Sequence, residues 1–165
     1  MRLKNQIIAR LITRFPALSK RFIDSYKPIE STDIPFTSMS KPLSACKVSL
    51  VTTSGVHLIS QKPFNMIDKD GDPTLRIIND TNNLMITHDY YDHSDADKDI
   101  NIVFPIDRLK EFEEQGVIGK VSEHHFGLMG HIIGRHIDIL VNITAKEIIA
   151  ILKKDSVDVV ILTPG

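Results

Sequence analysis

The run Lys47-Val48-Ser49-Leu50-Val51-Thr52-Thr53 is rich in β-forming side chains and stops at Ser54-Gly55. A strand whose carboxyl end opens into a small-residue turn is the usual start of an open α/β domain, in which ligands gather beyond the carboxyl ends of the strands. A second apolar run, Val157-Asp158-Val159-Val160-Ile161-Leu162, follows a helical pattern over residues 144–154 and leads into Thr163-Pro164-Gly165. The expected fold is therefore α/β, with an open, mostly parallel, Rossmann-like or flavodoxin-like sheet that is incomplete at its C-terminus. Without a helix after it, the last strand lacks cover on one face. His57 lies just past the first turn, where a loop histidine can serve as ligand or catalyst or simply as a hydrogen-bonded surface group. One glycine stands where a GxGxxG fingerprint needs three, and no GxxxxGK[ST] loop occurs, so dinucleotide and P-loop chemistry is excluded.

With 165 residues, 42% hydrophobic and 25% charged, the chain has the composition of one moderate folded domain. Its formal net charge of −1 gives no global case for nucleic-acid binding. The balance is uneven along the chain: residues 1–28 carry a net of +6 and the remaining residues −7. Ile7, Ile8, Leu11, Ile12, Phe15 and Leu18 fall at helical spacings among these cations, predicting an amphipathic helix up to about Pro16 with a turn or two beyond it. Packing on the body or on a partner subunit, lying on a membrane surface, and serving as an organellar presequence all fit such a helix. The first needs the fewest further assumptions. No transmembrane run is present in the sequence. The organisation read from these patterns is a helical segment at 1–25, a Pro- and Ser-containing linker or arm at 26–46, and an α/β body at 47–165. A single cysteine, Cys46, supports neither an internal disulfide nor a Cys-rich metal site, which points to a cytoplasmic protein.

The densest chemistry lies in His88-Asp89-Tyr90-Tyr91-Asp92-His93-Ser94-Asp95-Ala96-Asp97-Lys98-Asp99. Carboxylates and imidazoles this close can bind a cation, use a histidine as acid or base, or organise a loop through side-chain bonds to the backbone. His88 and His93 are five residues apart and do not form an HExxH pair, so a preformed zinc site is the weakest of these. Asp68-Lys69-Asp70-Gly71-Asp72-Pro73 superficially suggests calcium, but counting from Asp68 puts Pro73 at position 6 and Asn79 at position 12, and a polar turn fits better. His124, His125 and His131 form a second histidine-bearing stretch that solvated side chains explain adequately. The helix over residues 106–116 has Ile106, Leu109 and Phe112 as its apolar stripe, and Thr144-Ala145-Lys146-Glu147 reads as a capping box for the next helix.

Residues 47–57, the Asp70-Gly71-Asp72-Pro73 turn, residues 88–108, Gly116 to Gly119 and residues 157–165 resemble the selenoprotein B family of glycine, sarcosine, betaine and D-proline reductases, most of all its D-proline branch. The stretch HDYYDHSDADKDINIVFPIDRL carries most of this likeness. The resemblance implies that Leu162-Thr163-Pro164-Gly165 leads into selenocysteine, encoded by UGA, with a cysteine two residues later. On that reading Gly165 is a false terminus at a recoded stop and the chain is the N-terminal part of a longer subunit, inactive as it stands. It further implies dithiol-dependent cleavage of the carbon–nitrogen bond of D-proline to give 5-aminopentanoate, or of glycine, sarcosine or betaine in other branches. No cofactor is expected on this chain; a pyruvoyl group is expected on a partner subunit of a hetero-oligomer. His57, His88, Asp89 and His93 are then candidate supporting groups that orient or protonate the substrate adduct. Two other classes compete: a metal- or small-ligand-binding module built on the Asp/His cluster, and a noncatalytic structural subunit that assembles through its basic helix.

Overall fold

The computed structural model describes residues 2–25 and 36–164 of the chain. Strand β1 (Lys47–Thr52) is the centre of the main sheet, and all of its pairings are parallel. Strand β7 (Val159–Thr163) runs along one edge of it, in register from Val48↔Val159 to Thr52↔Thr163. The other edge is shared in succession by β5 (Lys120–Val121) and β6 (His125–Gly127). Strand β3 (Arg76–Ile78) joins β6 antiparallel, and β2 (Val56–Leu58) forms a separate antiparallel pair with β4 (Leu84–Ile86). An open, mostly parallel sheet is thus present, as the strand patterns predict.

Period-2 alternation sends Val48 and Leu50 of β1 to one face of the sheet and Val51 to the other. The first face is filled by Val56, Ile78, Phe104, and Ile106 and Leu109 of α3 (Ile106–Glu114). Phe112, expected to complete the α3 stripe, is 44% exposed, because the core ends one turn earlier. On the second face, Val51, Phe126 and Leu128 pack against Ile148 of α5 (Ala145–Lys154). Val159 and Ile161 of β7 join the first core, whereas Leu162, 74% exposed, is open on the opposite face. That agrees with the expectation of an uncovered face on the last strand.

The join between β5 and β6 is made by a side chain. Ser122 N–H donates to Val48 O at 2.8 Å and Ser49 Oγ donates to His124 O at 2.8 Å. Between them, the Leu50 N–H donates to His125 Nδ1 at 3.0 Å, so an imidazole replaces a backbone carbonyl in the ladder. An imidazole nitrogen that accepts cannot carry a proton, and burial pushes His125 down to about 4, which keeps the ring neutral.

Several local expectations are corrected. The capping box is not formed: α4 (His136–Ile139) and α5 are joined through a π-helical stretch, Leu140–Thr144, so Thr144 lies inside helical backbone. Its hydroxyl donates instead to Pro73 O at 2.6 Å. Residues 100–102, which lead toward α3, form a 3₁₀ turn whose Asn101 N–H is capped by Asp99 at 3.0 Å. The N-terminal helix is a pair, α1 (Arg2–Arg14) and α2 (Pro16–Ser25), with Pro16 opening α2 where its missing N–H costs nothing. Residues 26–35 of the expected arm lie outside the described residues, and residues 36–45 of it are exposed.

Candidate active site

Parallel pairing brings the carboxyl ends of β1, β6 and β7 to one edge of the sheet. Thr53 N–H donates to Thr163 O at 3.0 Å, Leu128 N–H to Thr52 O at 2.8 Å, and Gly55 N–H to Leu128 O at 2.9 Å. Ser54, completely buried, is the crossing point: it forms a β-bridge with Met129, and its Oγ donates to Pro164 O at 2.9 Å. The Ser54 carbonyl accepts from Tyr91 Oη at 3.0 Å, tying this turn to the Asp/His loop. Burial raises the Tyr91 phenol to about 12, so it remains a donor. Val103 O accepts from Thr163 Oγ1 at 2.7 Å and lies 3.0 Å from Thr52 Oγ1, which brings the two strand ends onto one carbonyl.

Of the histidines singled out from sequence, His88 is the one held at this edge with a spare polar atom. Its Nδ1 accepts from Tyr90 N–H at 3.1 Å, which places the proton on Nε2. That nitrogen is buried without a hydrogen-bond partner. The ring stands edge-on to Tyr91, 4.7 Å between centroids, and to Tyr90 at 5.9 Å. Burial, reinforced by nearby His93, pushes His88 down to about 4, so at neutral pH it is an uncharged donor. Gly130 faces it: a methyl group there would sit 2.8 Å from Thr53 O and 3.4 Å from His88 Nε2. Glycine leaves a notch of about that size between a carbonyl and the imidazole donor.

Asp89 is 1% exposed, and its Oδ1 accepts from Gln6 Nε2 of α1 at 3.0 Å. The basic helix therefore packs on the acidic loop, with Ala9 also buried there and Arg10 lining a small recess with Tyr91, Asp92 and His93. His93 is more peripheral: its ring is 5.6 Å from Tyr91, and Nδ1 contacts Asp97 Oδ2 at 2.8 Å. His57 is not on a loop; it sits in β2, fully buried. Its Nδ1–H donates to Leu58 O and its Nε2 accepts from Thr87 Oγ1, both at 2.8 Å, so neither nitrogen is left for chemistry. Burial lowers its pKa, against the Leu58 bond that raises it.

From the second histidine stretch, His131 reaches the site, stacked on Tyr90 at 3.9 Å and 18°. His125 is a ladder residue, and His124 pairs with Asp155 at 2.6 Å. The Asp68-to-Pro73 turn docks on the segment before α4. Asp68 accepts from His136, from Asp70 N–H and from Arg135, which hold its carboxyl down to about 2. Gly71, at φ +90°, lies where any side chain would collide with the His131 carbonyl. A larger open cleft of about 1,120 Å³, lined by Phe64, Asp72, Arg76, Met85 and Thr87, lies between this turn and the small sheet. Among the described residues no group of three or more His, Cys, Asp or Glu is arranged to hold a metal ion, and no helix is long and apolar enough to cross a membrane.

Sequence reasoning missed Ser54, Tyr91 and Gly130. The signal for Ser54 is its place at the strand exit; in the sequence Tyr91 is one polar side chain among many in the Asp/His loop.

A family model described as glycine/sarcosine/betaine reductase selenoprotein B matches residues 7–165. The chain is similar to the D-proline reductase subunit gamma of Acetoanaerobium sticklandii, 36% identical over 143 residues, covering 85% of this chain and 57% of that relative. It is also similar to the glycine reductase complex component B subunit gamma of Symbiobacterium thermophilum, 32% identical, and the betaine reductase complex component B subunit beta of Peptoclostridium acidaminophilum, 30% identical; each match covers 82% of this chain and 32% of the relative. The chain thus spans between about a third and a little over half the length of these curated relatives. No solved structure matches.

Proposed function

The chain belongs to the glycine/sarcosine/betaine reductase selenoprotein B family, and from that membership we propose that it is the N-terminal portion of a dithiol-dependent reductase subunit that cleaves the carbon–nitrogen bond of D-proline. The preference for D-proline over glycine, sarcosine or betaine rests on the highest identity among the relatives named above. The reactive residue is a selenocysteine following Gly165, encoded by UGA. The observation that carries this reading is the delivery of Pro164 into the Ser54–Tyr91–His88 cluster at the carboxyl ends of three parallel strands.

The chemistry assigned to that position balances as follows. A selenolate, ionised at neutral pH, displaces the ring nitrogen from the α-carbon, forming a carbon–selenium bond while the nitrogen leaves with the bonding pair. A thiolate attacks selenium, the carbon leaves and takes up a proton, and a selenium–sulfur bond results. An external dithiol reduces that bond and becomes a disulfide. A pyruvoyl group on the partner subunit holds the substrate amine. Within this chain, His88 supplies a neutral N–H donor beside the reacting region and Asp89 anchors its loop to α1, while His93 tunes the outer rim. His57 contributes by supporting Thr87 behind the loop.

Full-length protein, made with selenocysteine and combined with its partner subunit and a dithiol, is expected to form 5-aminopentanoate from D-proline. Absence of turnover with D-proline, glycine, sarcosine and betaine alike would overturn the reading. A second reading, a noncatalytic subunit whose N-terminal helices assemble the complex, is favoured by one observation: Leu3, Ile7, Leu11 and Phe15 present an apolar stripe 44–70% exposed.

A further inference from the structure

At the strand exit the Ser54 and Thr163 hydroxyl protons are fixed by their acceptors. Pro164 O is a carbonyl and only accepts, so the Ser54 hydroxyl donates to it. Thr163 Oγ1 donates to Val103 O, and the Thr52 hydroxyl, 2.9 Å from Ser54 Oγ and 3.0 Å from Val103 O, supplies its single proton to one of these two acceptors. Ser54 N–H in turn points to Thr52 Oγ1 at 3.2 Å, and Ser54 O is held by Tyr91. Every polar group of Ser54 is therefore committed, and one of them is spent on the last carbonyl before the chain leaves β7. Thr52, through the Ser54 hydroxyl and N–H, and Tyr91, through the Ser54 carbonyl, hold the residue that makes that single bond. Both Ser54 and Thr52 are completely buried, so the donor side of the bond is shielded from solvent.

We infer that Ser54, with its backbone pinned by Tyr91, is a positioning residue that sets the direction in which the chain departs after Pro164, and so places the reactive residue that follows Gly165. The inference rests on the proposed function above for the identity of that residue. It differs from the role of His88, which acts through its own donor. A shift of about 1 Å at a reacting centre can cost on the order of a hundredfold in rate, so a partial loosening of the exit has a measurable consequence.

The test uses full-length selenoprotein in complex with its partner, comparing the parent with Ser54→Ala and Tyr91→Phe. Reactive selenolate is first titrated with iodoacetamide, and kcat is expressed per titratable site, so that misfolded molecules lower the number of sites rather than the value. Positioning predicts that Ser54→Ala lowers kcat per site about tenfold, with KM within about twofold, and that Tyr91→Phe, which keeps the ring against His88, lowers it about threefold. A kcat per site within about twofold of the parent in both variants would overturn the inference. If the parent complex turns over none of the four substrates, the functional reading fails on its own. The positioning claim is then judged by the alkylation rate constant, which it requires to change at least about threefold in Ser54→Ala and which, unchanged, sinks it.

Discussion

His88 and His125 are two buried imidazoles held neutral for different purposes, one beneath the strand exit and one inside the β1 ladder. Burial depresses both to about 4 from an ordinary value of 6.5. Between pH 6.5 and 4 the unfolded chain takes up protons that the folded chain refuses, so the stability these rings contribute is present above 6.5 and is lost as pH falls toward 4. The loss amounts to as much as about 3 kcal/mol per ring. Asp68 acts lower, its contribution surviving above 3.8 and disappearing toward 2, and so does not obscure the window. The urea midpoint should therefore fall clearly between pH 7 and pH 4.5; a flat midpoint would contradict the assignment of both rings. The sequence sets the Asp/His loop apart by its density of titratable groups. It could not separate His57, whose two nitrogens are consumed by Leu58 and Thr87, from a loop histidine, because those partners are set by the antiparallel pairing of β2 with β4.

At the scale of elements, strands with strong patterns were legible and their edges were not. The runs at β1 and β7 announced themselves by composition, while β5 and β6 are too short to carry a period and exist because His125 bridges the break between them. Thr144 matched a capping motif, yet the helix begins eight residues earlier and its hydroxyl serves the Asp72-Pro73 turn. Competing tertiary partners decided both cases. The α1–α2 pair was legible as amphipathic, but not its contact with the Asp/His loop through Gln6 and Asp89. Among the described residues neither core cluster draws on α1 or α2, so removal of residues 1–25 should leave the body folded, its melting transition lowered only by loss of the Gln6–Asp89 contact and the cover over Asp89. The same deletion should abolish co-purification with the partner subunit if the exposed stripe is an assembly surface; stable association of the shortened subunit would count against that role.

For the whole molecule, a net charge of −1 conceals a basic helical entry packed on an acidic body, and an α/β sheet whose last strand leaves Leu162 open on one face. The fold class followed from strand and helix periods, since these depend on local pattern. The site followed only in part, since Ser54, Tyr91 and Gly130 gain meaning from contacts between segments distant in sequence, Ser54 meeting Pro164, Met129 and Tyr91, and Gly130 meeting Thr53 and His88. The central proposal is that the residue following the exit of β7 is the reductase nucleophile. The most direct measurement is peptide mass spectrometry of the protein from its native cells, reduced and alkylated before digestion. The account predicts a peptide that reads through Thr163-Pro164-Gly165 into an alkylated residue with the isotope pattern of selenium. A peptide in which Gly165 is followed by an ordinary residue other than cysteine, or carries the free carboxyl terminus, would contradict it.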